Sequence, residues 1–139
     1  MAWDQLKYQL TVDEAVRKFA YQDTNGFWTI GIGRNVDKRG GRGLSDDEIL
    51  YLLENDLKNT EHDLDAHFKW WRNMTPARQD VLMNMCFNLG INRLLQFHNF
   101  LGACAQSNWD HAAAEMEDSL WYRQVGARGV RLRDAMKKG

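Results

Sequence analysis

The sequence predicts an α+β chain, with a small β-hairpin lobe near its start and a larger helical lobe behind it. Three observations carry this. Two aromatic, β-favouring runs, KFAYQD and FWTIGIG, flank TNG between residues 18 and 33. Asn-Gly between such runs is a strong hairpin signal. From Ser45 onward the apolar residues switch to helical spacing. Beyond Thr75 one apolar, helix-like segment follows another, and a single Pro in 139 residues leaves room for long helices.

Taken in order, Trp3, Leu6 and Leu10 recur at helical spacing and predict a short first helix ending near Glu14. A strand follows from Arg17 to Tyr21. Gly31 and Gly33 weaken the second strand, so a bulge or a close backbone approach is expected there. A third short strand is expected around Arg34 to Asp37. DKRGGRG then reads as a flexible loop carrying positive charge. LSDDEILYLLENDL opens a helix, with Ser45 as N-cap and Glu48 as its capping-box partner. Ile49, Leu52, Leu53, Leu57 and Leu64 keep an apolar stripe going for about 20 residues, roughly 30 Å, long enough to bridge two lobes. Thr75 caps the next helix, Pro76 suits its first position and Gly90 its stop. The body of that helix, VLMNMCFNL, is apolar on nearly every side and predicts a buried central helix. NRLLQF, FHNFLGACAQ, NWDHAAAEMEDSL (capped by Asn108) and ARGVRLRDAMKK predict further helices.

The length is that of one domain, taken as residues 1–139, with a small lobe of about 15–60. The helical lobe is about 61–139 together with the N-terminal helix 1–14. A net charge of −1 does not suggest a nucleic-acid partner. From Trp121 onward, however, six basic residues and one acid give +5. This reads as a solvated helix face, or as weak attraction to an anionic wall or membrane surface. Six Trp are many for this length. They either fill the core or line a groove for a sugar-like ligand. Cys86 and Cys104 lie in apolar stretches and read as free, buried thiols of a reducing compartment. MAWDQLKYQL lacks a basic n-region followed by an apolar run, so no Sec signal is expected, and no stretch is long enough to span a membrane. His62, His67, His98 and His111 do not cluster at metal-ligand spacing. GIGRNVDKRGGRG lacks the phosphate-loop lysine. No metal and no cofactor are expected.

Glu14 and Asp23 bracket the first strand, and Thr29 lies across the turn. Glycoside hydrolysis needs a proton donor for the leaving oxygen and a second carboxylate that attacks or orients a water. Two carboxylates delivered from two elements suit that demand, and a Thr hydroxyl can hold the other side of the water. Burial beside Ala15 and Val16 would keep Glu14 protonated. Spacing alone favours a plainer alternative, in which Asp23 starts the turn and Glu14 is a solvated helix-end acid.

DEAVRKFAYQDTNGFWTIGIG, residues 13–33, resembles the signature of the phage-type lysozymes, glycoside hydrolase family 24, such as the lysozyme of the T-even phages. NMCFNLG resembles that family's buried central helix, and NWDHAAAEMEDSLWYRQVGARGVRLR its C-terminal Trp- and Arg-rich segments. The resemblance implies a lysozyme-like fold, with two lobes joined by the long helix and an active-site cleft between them. It implies Glu14 as general acid, Asp23 as the carboxylate that positions water or stabilises the oxocarbenium-like transition state, and Thr29 beside it. It places Arg128 near the acid, where its charge would oppose the effect of burial, and Asn84, Phe87, Asn88 and Phe97 near the sugar cleft. Two departures stand out. Ala15 replaces a family Gly, which is tolerable only at negative φ. Arg34 replaces a family His, and its expected ion-pair partner is Asp56. The loop DKRGGRGLS is also shorter than in the T-even protein.

The expected function is that of a monomeric endolysin. It would be a muramidase hydrolysing the β-1,4 bond between N-acetylmuramic acid and N-acetylglucosamine of peptidoglycan strands, and so lysing the host. Without a Sec signal it would wait in the host cytoplasm and act in the periplasm; spending the whole chain on catalysis suits a Gram-negative wall. The alternatives are a lytic transglycosylase, giving 1,6-anhydro products without an attacking water, and a non-catalytic wall-binding phage protein. Retention of Asp23 and Thr29 argues against the first, and the presence of Glu14 against the second.

Overall fold

The computed structural model describes residues 2–139. It divides into two units, one up to Leu52 and one from Leu53 to Gly139, and its architecture is the expected α+β one. The first unit opens with helix α1, Asp4–Glu14, where Asp4 favours the positive end of the helix dipole. The expected spacing does form a helix, but no residue of α1 is buried. Trp3, Leu6 and Leu10 are all exposed.

Ala15 ends α1 at φ 62° and ψ 160°. This is the left-handed side of backbone space, where essentially only glycine is comfortable. The negative φ expected for Ala15 is not adopted. The chain keeps the conformation that glycine would serve and carries a methyl group there.

Three antiparallel strands follow in the order β1-β2-β3: Arg17–Gln22, Trp28–Gly31 and Arg34–Asn35. Gln22 faces Trp28, Tyr21 faces Thr29 and Arg17 faces Gly31, so β1 has two residues more than β2 between Arg17 and Tyr21. The irregularity therefore lies on β1, opposite the glycine-bearing strand. The other expected consequence of the glycines, a close approach, falls at Gly33. A Cβ there would lie 2.8 Å from the Glu14 Oε2.

Helix α2, Asp46–His67, begins with the expected capping box. Ser45 N–H donates to Glu48 Oε1 at 2.9 Å, and Glu48 N–H donates to Ser45 Oγ at 3.2 Å. Its apolar stripe needs correction. Thr60 and Leu64 are buried, whereas Ile49, Leu52, Leu53 and Leu57 are exposed. Helical periodicity names the face that can be buried but supplies nothing to cover it.

The second unit holds the large core. Helix α3, Pro76–Leu89, lies at its centre, burying Val81, Leu82, Met85, Cys86 and Leu89. Thr75 caps it by accepting from Arg78 N–H, and Gly90 closes it at φ 78°. Around it are α4 (Ile91–Leu94), α5 (His98–Ala105), α6 (Trp109–Glu117), α7 (Leu120–Val125) and α8 (Ala127–Lys138). The single helix expected from Asn108 to Leu120 stops at Glu117. Ser119 then starts α7, accepting from Tyr122 N–H. Trp71 and Trp121 are buried, while Trp28 is exposed. Arg78, also buried, closes α8: its Nε donates to Met136 O at 2.7 Å and its Nη2 to Lys137 O at 3.1 Å, with the guanidinium over the Trp109 ring. Cys86 and Cys104 are free and buried, and burial pushes their thiols up to about 11 and about 12. Among the described residues no helix is long and apolar enough to cross a membrane.

Candidate active site

Glu14 is the last residue of α1. It is exposed, not buried as expected, because α1 buries none of its faces. Its carboxylate lies against the backbone of Gly33, in the space a side chain there would need. The end of α1 and the turn after β2 therefore meet at this acid, and a side chain at position 33, where φ is 72°, would make the carboxylate shift.

Asp23 folds the connection between β1 and β2 around itself. Its Oδ1 accepts from Asn25 N–H and from Phe27 N–H, each at 2.9 Å. Its own N–H donates to Phe27 O, and its C=O accepts from Gly26 N–H, both at 2.9 Å. Gly26 takes φ 80°, which is why Asn-Gly serves here. Thr29 is buried, and its Oγ1 donates to the same Phe27 carbonyl at 3.0 Å. The Phe27 carbonyl thus joins the Asp23 backbone to the Thr29 hydroxyl. Asp23 does start the turn, as its plainer reading held, yet this network engages only one of its two carboxylate oxygens.

The loop read as flexible and positive is tied down by Asp37, which is buried. Arg39 beside it holds the Asp37 carboxyl well below the usual carboxylate range, helped by backbone N–H groups of Trp28 and Arg39. This pair belongs to none of the expected site residues. The available signal was Asn35 two residues before Asp37: Asn35 Oδ1 accepts from Asp37 N–H at 2.9 Å in a side-chain turn.

Arg34 takes Glu48 as its carboxylate, correcting the expected Asp56. Its Nη1 lies 2.7 Å from Glu48 Oε1 and donates to Gly43 O at 3.1 Å. Glu48 is already fixed by the capping box and can receive β3's charge without further ordering. Asp56 belongs to the second unit. The hydrogen bond from Arg34, then that from Ser45, lowers the Glu48 carboxyl to about 2.

In the second unit, Arg128 Nε and Nη2 both donate to Asn84 Oδ1, at 2.8 and 2.6 Å. Asn84, Phe87 and Arg128 line one recess of about 380 Å³ with Leu53, Leu57, Asp80 and Met83. Asn88, one turn beyond Asn84 on the same face of α3, accepts from Trp121 Nε1 at 2.9 Å. Phe97 packs edge-on to Phe100 and lines a different recess, of about 410 Å³, which Trp121 also borders. Of the five expected substrate-binding residues, Asn84, Phe87 and Arg128 therefore share one recess and Phe97 lines another.

The model of one protein family, phage lysozyme, matches residues 12–136, a span that includes all eight expected site residues. The chain belongs to the phage lysozyme family. Among curated relatives, the chain is similar to probable T4-type lysozyme 1 of Dictyostelium discoideum, at 29% identity over 98% of the chain and 93% of that protein. Probable T4-type lysozyme 2 of the same organism is 26% identical over 96% of the chain and 94% of its own length. The pre-baseplate central spike protein Gp5 of Enterobacteria phage T4 is 30% identical over 86% of the chain. The chain spans about a quarter of that spike protein's length. Membership in the phage lysozyme family supports a lysozyme-type peptidoglycan hydrolase activity.

Proposed function

We propose that the chain is a lysozyme-type catalytic domain that hydrolyses the β-1,4 bond between N-acetylmuramic acid and N-acetylglucosamine with inversion. Glu14 donates a proton to the leaving oxygen. Asp23 and Thr29 hold the attacking water. The observation that carries this is Phe27, whose N–H holds the Asp23 carboxylate and whose C=O holds the Thr29 hydroxyl. Its carbonyl takes the Thr29 hydroxyl proton, so Thr29 meets a water with a lone pair. The Asp23 oxygen outside the turn network offers another acceptor. A water giving one proton to each keeps a lone pair for the sugar carbon, which is the base-assisted arrangement of an inverting glycosidase. An Asp23 oxygen committed to two backbone N–H groups is correspondingly a poorer nucleophile. No cofactor enters these steps. Asn84, Phe87, Asn88, Phe97 and Arg128 contact the glycan.

Digestion of purified peptidoglycan in oxygen-18 water, with product mass spectrometry, tests this. Heavy label in reducing muramic ends supports hydrolysis, and Glu14→Gln should lower the rate by at least about 10²-fold. Anhydro ends would make the chain a transglycosylase. The setting is host lysis, with action on the wall from the periplasmic side. The likeness to a central spike protein favours a second setting, in which the same chemistry is carried on a phage particle. Detection of the chain in purified virions would support that setting, and detection only in the soluble lysate would favour the first.

A further inference from the structure

Strand β3 is two residues long and pairs with β2 only at Thr29↔Asn35 and Ile30↔Arg34. One more backbone bond, Val36 N–H to Trp28 O at 2.8 Å, extends the ladder. From there side chains continue it. Asp37 Oδ2 accepts from Trp28 N–H at 3.0 Å. Arg39 grips Asp37 with Nε at 2.9 Å and Nη2 at 3.0 Å, and the same Nη2 donates to Gly26 O at 2.7 Å. Its guanidinium stands 5.0 Å from the centre of the Phe27 ring.

Phe27 is therefore held from two sides. Its own N–H and C=O serve Asp23 and Thr29. The flanking groups, Gly26 C=O and Trp28 N–H, serve Arg39 and Asp37. Gly26 C=O and Phe27 N–H lie on one planar peptide, and Phe27 C=O and Trp28 N–H on the next, so each pair can turn only as a unit. Fixing the neighbours fixes where the Phe27 N–H and C=O point.

We infer that Asp37 and Arg39 are positioning residues for the water site, aiming the Asp23 carboxylate and the Thr29 hydroxyl through the backbone of Gly26 to Trp28. The inference rests on Asp23 and Thr29 being that site. Burial of Asp37 makes the arrangement demanding, since a carboxylate taken from water needs its partners. The planar guanidinium suits a task in which two carboxylate oxygens and a carbonyl must be reached together, which a lysine ammonium would not match.

The test uses Arg39→Gln, Arg39→Lys and Asp37→Asn in the full chain, with Glu14→Gln as the chemical control. Steady-state kinetics on soluble peptidoglycan fragments give kcat and KM. Amide hydrogen exchange at Asn25 and Phe27, the two donors to Asp23, reads the turn directly, with Met85 and Leu89 of α3 as a check on the fold. In Arg39→Gln, exchange at Asn25 and Phe27 should rise about tenfold and kcat should fall about tenfold, with KM and the α3 amides little changed, because misplacement acts on the chemical step. Asp37→Asn should do the same, and Arg39→Lys should restore only part of kcat. Unchanged exchange at the two turn amides would overturn the inference. So would faster exchange with kcat intact, or a loss confined to KM. A Glu14→Gln variant as active as the parent would remove the reading beneath the inference, and the inference with it. An inactive Glu14→Gln beside a fully active Arg39→Gln would remove the inference alone.

Discussion

Ala15→Gly should stabilise this protein, against the usual effect of introducing glycine. Glycine costs folding free energy because it gains the most freedom in the unfolded chain, roughly 0.4–1 kcal/mol against alanine. At Ala15 the native backbone sits at φ 62° and ψ 160°. A side-chain-bearing residue held there costs of order 1–3 kcal/mol. Relief exceeds loss by about 1 kcal/mol. With a urea dependence of about 2 kcal/mol per molar, the midpoint should move up by about 0.5 M. For a chain of this size the thermal midpoint should rise by about 4 °C. Paired urea titrations followed by far-ultraviolet circular dichroism would measure this. Ala15→Val serves as the opposite perturbation, since a β-branched residue suits this region even less. A midpoint that stays level or falls in Ala15→Gly, at unchanged slope, would refute the reasoning. It would mean that the methyl group is not strained and that the chain after Glu14 takes another path.

Three further outcomes are expected. Gly33→Ala should lose kcat by about 10²-fold, because its Cβ would sit 2.8 Å from Glu14 Oε2 and displacing a catalytic group by about 1 Å has that order of effect; peptidoglycan turnover checks it, and full activity would show that Glu14 tolerates displacement. Glu48 has its carboxyl lowered from 4.5 to about 2 in the folded protein, so its contribution is complete above about pH 4.5 and disappears as pH falls through about 2. The stability difference between parent and Glu48→Gln, from urea midpoints at pH 6, 4 and 3, should therefore shrink toward acid, and a constant difference would count against the Arg34 pair. With thiols raised to about 11 and about 12 by burial, Cys86 and Cys104 should resist a disulfide reagent at pH 8 in the native protein and both react once it is unfolded; rapid native labelling would contradict their burial.

The sequence was most legible where the deciding hydrogen bonds are local. Ser45 with Glu48, Thr75 with Arg78 N–H and Asn108 with His111 N–H each span three residues, and each could be read from spacing alone. The Asp23 turn spans four. Ser119 and Gly126 were equally local but sat inside or beside stretches that read as continuous helix. They were missed because a short helix end gives little contrast in an already helical pattern. The three expected catalytic residues punctuate a hairpin, but their spacing left the plainer reading open, and only the resemblance of residues 13–33 to the family assigns them roles.

What the sequence by itself determined, then, is most of the elements, the ends marked by local caps, and the family likeness. Only the tertiary structure decided the partners. Arg34 meets Glu48 across 14 residues, Asn84 meets Arg128 across 44, and Arg78 reaches Met136 across 58. It also decided that Ile49, Leu52 and Leu53 stay exposed while Asp37 is buried. The physical reason is the range of the interactions. A helix or a turn is selected within about four residues of chain by its own backbone bonds. A distant partner is selected by packing, where many side chains compete for the same neighbour and spacing carries no information about which will arrive.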